Sequence, residues 1–164
     1  MELIDKFKMN KDEYLLRGYK QIDSTNLFDF FTKCLTESGR FFEPDGPHAS
    51  LLDVEHNFEY FICLIAQESG KIIGTSAFKR IDERRCELKC VYLYQKYHGL
   101  GLGTLMCKNI INVAKDKGYK EMYLDTISET SGRAIKMYQR LGFVMIDKYH
   151  ETARSDVFMR MILE

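Results

Sequence analysis

The sequence predicts an α+β (mixed α/β) fold, with a central, mostly antiparallel sheet flanked by helices. Three observations carry this. A helical pattern near the start gives way to consecutive strand patterns, Tyr60 to Ala66, Lys71 to Phe78 and Cys86 to Tyr94, separated by turn-like or polar residues. One strand–helix–strand unit then follows, not the regular alternation of a doubly wound fold. Finally, the 164 residues contain no internal repeat, low-complexity segment or second core, so one domain is expected.

In chain order, residues 1–12 are polar and charged and are expected to be loosely held, and Glu13 to Tyr19 reads as a short strand. Ser24 begins a helical pattern through Leu27, Phe28, Phe31 and Leu35, which Ser38-Gly39 ends. Glu43-Pro44-Asp45-Gly46-Pro47 holds both prolines and reads as a loop, and a short helix follows from Ala49 to Asn57. Tyr60 to Ala66 is a continuous apolar run; with turn-like Gln67-Glu68-Ser69-Gly70 and the strand-like Lys71 to Phe78 it forms a hairpin. Cys86 to Tyr94 is a third strand. From Gly101, Leu102, Leu105, Met106, Ile110, Val113 and Ala114 fall on one helical face, closed by Lys115, Lys117 and Gly118. Lys120 to Ile127 is a strand, and Ala134, Ile135, Met137, Tyr138 and Leu141 mark a helix ended by Gly142. Phe143 to Ile146 and Asp156 to Ile162 supply two last strands.

Composition narrows the function. The chain is 45% hydrophobic and 29% charged, an ordinary globular profile. Lys plus Arg and Asp plus Glu number 24 each, which argues against a general nucleic-acid or anionic-membrane surface. The five cysteines, Cys34, Cys63, Cys86, Cys90 and Cys107, are odd in number and scattered, as expected of free thiols in a reducing, cytoplasmic compartment. Cys86 and Cys90 lack a second Cys or His pair at ligand spacing, so no metal is expected. No apolar leader or long apolar span appears, so neither export nor a membrane span is expected.

The chemistry-bearing motif is Lys96-Tyr97-His98-Gly99-Leu100-Gly101-Leu102-Gly103-Thr104, between the third strand and the second long helix. Alternate glycines let a turn expose several backbone N–H groups to a closely approaching ligand. The helix N-terminus adds unpaired donors and partial positive charge, which suits a pyrophosphate. A dinucleotide fingerprint fails, because the sixth position from Gly99 is Thr104 and from Gly101 is Met106. A Walker loop fails for want of Gly-Lys-Ser/Thr.

Glu87-Leu88-Lys89-Cys90-Val91-Tyr92-Leu93, this glycine turn, Tyr119 to Asp125, and Ala134-Ile135-Lys136-Met137-Tyr138-Gln139-Arg140-Leu141-Gly142-Phe143 follow one another in an order that resembles the GCN5-related N-acetyltransferase (GNAT) superfamily. The likeness is strong over residues 86–144 and lies in element order elsewhere; Asp156-Val157-Phe158-Met159 resembles the closing strand. It implies one acetyltransferase domain over 1–164, with a cofactor-binding core at about 86–144 and a splayed sheet. It also implies acetyl coenzyme A as acyl donor, an amine acceptor and no metal. In that fold a bulge in the third strand parts it from the next parallel strand, here around Leu124, and opens a cleft for the pantetheine arm. The family pattern Gln/Arg-x-x-Gly-x-Gly/Ala falls on Lys96 to Gly101; Lys96 replaces Gln or Arg, and His98 stands where Arg is common. Ser131 stands where many relatives carry an Asn. The implied cofactor-binding set is Val91, Tyr92, Leu93, His98, Gly99, Leu100, Gly101, Leu102, Gly103, Thr104 and Ser131.

Acetyl transfer to an amine needs a neutral amine, a polarised thioester carbonyl and a proton for the departing thiolate. An N–H of the Val91–Leu93 strand suits the carbonyl oxygen. By the resemblance, Tyr138 gives the sulfur its proton and Glu87 is the general base. The alternatives are a core tyrosine and a strand carboxylate paired with Arg84, Arg85 or Lys89. Tyr92, Tyr94, Asp125 and the histidines are further candidates. The acceptor is expected between the segment from the first helix through Asn57 and the loop Tyr149–Ser155, near Phe41, Phe42, Glu43, Asp45 and His48. Its identity stays open: polyamine, aminoglycoside, amino acid, peptide N-terminus or lysine side chain. The expected function is direct transfer of acetyl to a primary amine of a small molecule or peptide, with a non-catalytic acyl-coenzyme A sensor as the alternative. A homodimer is allowed.

Overall fold

The computed structural model describes residues 4–164. Its strands are β1 (Ile4–Met9), β2 (Asp12–Gly18), β3 (Tyr60–Ala66), β4 (Lys71–Arg80), β5 (Arg85–Leu93), β6 (Glu121–Thr126), β7 (Val144–Met145) and β8 (Val157–Ile162). They form one sheet in the order β1-β2-β3-β4-β5-β6-β8-β7. All neighbours are antiparallel except β5 and β6, which are parallel. The helices are α1 (Ser24–Glu37), α2 (Val54–Asn57), α3 (Leu102–Asp116) and α4 (Gly132–Leu141). This is the α+β mixed sheet that the pattern predicts.

The sheet is covered on both faces, and β3 shows why its sequence is an unbroken apolar run. Ile62, Leu64 and Ala66 pack into the cluster that holds Leu102, Met106 and Ile110 of α3. Phe61, Cys63 and Ile65 pack oppositely, with Leu27, Phe30, Phe31 and Leu35 of α1. Successive strand side chains point to opposite faces, so a doubly covered strand must be apolar at every position.

Two expectations need correction. Within residues 1–12, Ile4–Met9 forms β1 and pairs with β2 from Ile4↔Arg17 to Met9↔Asp12. Its polar appearance is that of an edge strand, which solvates much of its length; residues 1–3 lie outside the described residues. The helix expected from Ala49 to Asn57 divides into a single 3-10 turn, Ala49–Leu52, and the short α2. Asp53 interrupts it with a non-helical backbone, and its carboxylate accepts the His56 N–H at 3.4 Å as a cap.

Candidate active site

The site begins with one extra residue in β5. Ala77 of β4 faces Lys89, but Thr75 faces Tyr92, so two steps along β4 match three along β5. This is a bulge, and Cys90 takes a left-handed φ of +55° to make it. The phase of the strand then flips. Cys86 and Leu88 enter the α3 core before the bulge, Val91 and Leu93 pack against it afterwards, and Cys90 and Tyr92 turn to the α1 side. Thr75 is fully buried and its hydroxyl donates to the Cys90 carbonyl at 2.6 Å, which fixes the kink. Thr75→Val keeps the shape but leaves that carbonyl without its donor. It is expected to lower stability by about 1–3 kcal/mol, measured by urea unfolding.

The bulge separates β5 from its parallel neighbour. Arg85↔Glu121, Cys86↔Met122 and Glu87↔Tyr123 are paired, and the pairing stops there although β5 runs to Leu93 and β6 to Thr126. The strands part at the residue before Leu124, where the family resemblance puts the splay. Two cavities, of about 460 and 590 Å³, flank the opening.

The first cavity is lined by Val91, Tyr92, Leu93, His98, Gly99, Gly101, Leu102, Gly103, Thr104 and Ser131, all but one of the residues expected at the cofactor. Leu100, the remaining one, packs against the α3 core. Gly99 and Gly101 both have φ +82°, the left-handed region where glycine is at home, and Gly101 caps α3. The His98 ring nitrogen Nε2 lies 3.0 Å from the Leu93 carbonyl, tying the turn to the strand end. Ser131 precedes α4, and its hydroxyl accepts a 2.7 Å hydrogen bond from Thr126. Lys96 instead lies over the Tyr97 ring at 5.2 Å. Cations do line this cavity, from elsewhere: Arg40 beyond α1, and Arg133 and Arg140 of α4, with Met137 between these last two in sequence. Their spacing of seven is two helical turns, a signal present in the sequence.

The second cavity is lined by Lys89, Cys90, Asp125, Tyr138, Ser155, Arg40, His48 and Arg154, among others. Tyr138 is 7% exposed and packs edge-on to Phe143, with ring centres 5.8 Å apart. Burial, with smaller contributions from Cys107 and Tyr92, raises its phenol well above the usual range, so it keeps its proton. Glu87 is not among the residues lining either cavity. Its carboxylate accepts the Tyr149 hydroxyl at 2.5 Å and the Lys89 ammonium at 3.1 Å. Asp125 accepts the Ser155 hydroxyl at 2.7 Å and bonds His150 Nε2. The other nitrogen of His150 faces the Glu151 carbonyl at 3.0 Å. Burial alone would lower the His150 pKa, but these two acceptors outweigh it and the net shift is upward. A ring with acceptors at both nitrogens favours the imidazolium.

Ligand atoms of Glu87, Asp125 and His150 lie within 4.8 Å of one another, a spacing that could hold a cation. Within this cluster Glu87 already holds the Lys89 ammonium and Asp125 bonds His150. Burial pushes the thiols of Cys34, Cys86, Cys90 and Cys107 up to about 12, outweighing the cations Arg40 near Cys34 and Lys89 and Lys79 near Cys90.

Comparison with known proteins agrees with this geometry. A family model described as "Acetyltransferase (GNAT) family" matches residues 25–143. An uncharacterized N-acetyltransferase of Schizosaccharomyces pombe is 28% identical over 160 residues, covering 96% of this chain and 87% of that protein. One from Dictyostelium discoideum is 33% identical over 81 residues, 48% of this chain and 37% of the relative. The chain thus spans well under half of that relative, and about half of the 31% identical Mycobacterium tuberculosis protein. Among solved structures, a GNAT-family acetyltransferase from Staphylococcus aureus Mu50 superposes with a TM-score of 0.83 at 21% identity, covering 92% of this chain and 99% of that one. A GNAT-family acetyltransferase from Elizabethkingia anophelis, solved with acetyl-CoA bound, superposes with a TM-score of 0.65 at 17% identity, covering 92% and 98%. With the family's sequence model running from α1 through the glycine turn to the end of α4, this chain belongs to the GNAT acetyltransferase family.

Proposed function

We propose that the chain binds acetyl-CoA in the split between β5 and β6 and transfers its acetyl group directly to a primary amine. The observation that carries this reading is the split itself, opening onto a glycine turn at one end and a tyrosine at the other. The residues present fit the coenzyme. N–H groups of the Gly99–Thr104 turn and the α3 N-terminus suit the pyrophosphate, reinforced by Arg133 and Arg140. The edge of β5 beyond Glu87 can take the pantetheine amides as an added strand would. An N–H within Val91–Leu93 polarises the thioester carbonyl.

The amine nitrogen then attacks that carbonyl carbon; the C–N bond forms, the C–S bond breaks, and Tyr138 gives its phenolic proton to the departing sulfur. Glu87 is the base. Because Tyr149 and Lys89 occupy its oxygens, it receives the amine proton through intervening water rather than by direct contact. Five free thiols suit a reducing, cytoplasmic compartment. No helix among the described residues is long and apolar enough to cross a membrane.

The test is incubation with acetyl-CoA and a panel of amines, following thiol release and the mass of the product. Acetylated amine formed in step with free thiol is expected. Tight acetyl-CoA binding with no acetylation across amines and peptides would favour the sensor instead. A companion test is Gly101→Val. Its left-handed φ costs a β-branched residue about 1–2 kcal/mol, and the substitution changes the backbone conformation available to a residue that lines the first cavity. Most of the thermal stabilisation by acetyl-CoA should disappear; an unchanged shift in the folded variant contradicts the pyrophosphate placement.

A further inference from the structure

One cation on the wall of the second cavity has no carboxylate partner. The cavity presents Arg40, Lys89 and Arg154 against the carboxylates of Glu43 and Asp125. Lys89 is matched by Glu87 at 3.1 Å and Arg154 by Glu43 at 3.5 Å, while Asp125 is taken up by His150 and Ser155. Arg40 remains. Its guanidinium donates to the Tyr92 hydroxyl at 3.1 Å and lies 5.6 Å from that ring's centre. Among the described residues no carboxylate oxygen lies within 4.0 Å of it. A guanidinium held by a neutral phenol and a ring face keeps planar N–H donors for an anion.

Arg40 is also placed, not trailing. It is half-buried, and its backbone N–H donates to the Leu35 carbonyl at the end of α1, at 2.9 Å. The neighbouring His48 is held below the usual histidine range, first by burial and then by the Arg40 charge, and its Nδ1 accepts the Glu43 N–H at 2.9 Å. Arg40 further belongs to both cavities, together with Val91, Tyr92, Ser131 and Ala134. An anion on Arg40 therefore sits beside the point where acyl donor and acceptor meet.

We propose that the acceptor is an α-amino acid whose carboxylate sits on the Arg40 guanidinium while its adjacent α-amine takes the acetyl group. A carboxylate close to the reacting amine meets both the charge and the position of Arg40. A polyamine or aminoglycoside would bring more positive charge to an already unmatched cation. This rests on the N-acetyltransferase reading above.

The test offers each proteinogenic amino acid and its own carboxamide as acceptors with acetyl-CoA, to wild type, Arg40→Gln and Arg40→Lys. The acid-to-amide ratio of kcat/KM is internal to each sample, so partial misfolding does not alter it. Wild type is expected to favour the best acid over its amide by on the order of ten- to a hundredfold. Arg40→Gln should bring that ratio close to one, and Arg40→Lys should keep part of it. Equal or better use of amides by wild type overturns the proposal, as does a preference that Arg40→Gln leaves intact. An Arg40→Gln loss that falls equally on acids and amides and follows weaker acetyl-CoA binding overturns it too, by assigning Arg40 to the coenzyme. If spermidine, tyramine or a lysine peptide is acetylated and neither series is, the acceptor class is wrong and the transferase stands. If acetyl-CoA is neither bound nor consumed with any amine, the transferase reading falls and the acceptor with it.

Discussion

Tyr138→Phe is expected to lower turnover by on the order of ten- to a thousandfold, with fold and acetyl-CoA affinity retained. The ring is 7% exposed and packs on Phe143, so the substitution preserves the buried surface and removes only the hydroxyl. Burial raises the phenol's pKa, so the proton is in place at any working pH, yet the side chain borders the second cavity, where the sulfur is proposed to depart. Without it, the thiolate must take a proton from water. The measurement is kcat where chemistry limits the rate, beside the acetyl-CoA-induced thermal shift. Equal turnover in both proteins would make Tyr138 a packing residue.

Asp23→Ala is expected to cost about 3–5 kcal/mol of folding free energy and to lower Tm by on the order of 10 °C. Asp23 is 5% exposed, and its carboxylate accepts two Arg17 N–H groups, at 2.7 and 2.8 Å, and the Lys20 N–H at 2.8 Å. Truncation leaves the largely buried guanidinium without this partner, and the turn entering α1 loses its anchor. Burial alone would raise the Asp23 pKa, but the Arg17 and Lys20 contacts outweigh it and the folded value is depressed. This contribution is therefore present above the unfolded pKa, about 3.9, and is lost as pH falls through the lower folded value. Urea unfolding at neutral pH checks the magnitude; a loss below about 1 kcal/mol would mean the pair is as weak as a surface one.

How much of this was legible in the sequence depends on the range over which each signal acts. The succession of elements from Tyr60 onward, with α3 and α4, follows from local periodicity and from Gly118 and Gly142, and the glycine turn is written out in consecutive residues. The bulge is not. Cys90 sits in an apolar strand run, and a left-handed φ at a non-glycine residue has no composition of its own. Polar β1 looked like a tail because its pairing with β2 is invisible to a window that sees one strand at a time. The acceptor side was hardest. Arg40 meets Tyr92 across 52 positions, and Tyr149 meets Glu87 across 62, so only folding brings them together. Glu43 and Asp45 gave the 41–48 loop an acidic look, yet Glu43 pairs with Arg154 and the unmatched charge on that wall is positive.

Acetyl-CoA is proposed to lie along the unpaired end of β5 and over the glycine turn. Amide hydrogen exchange with and without acetyl-CoA tests this most directly, because it reads the backbone N–H groups assigned to the ligand. Protection should rise together at 91–93 and 99–104, while the paired segment 85–87 changes little. Protection confined elsewhere, or at the turn with none at 91–93, would contradict binding within the split.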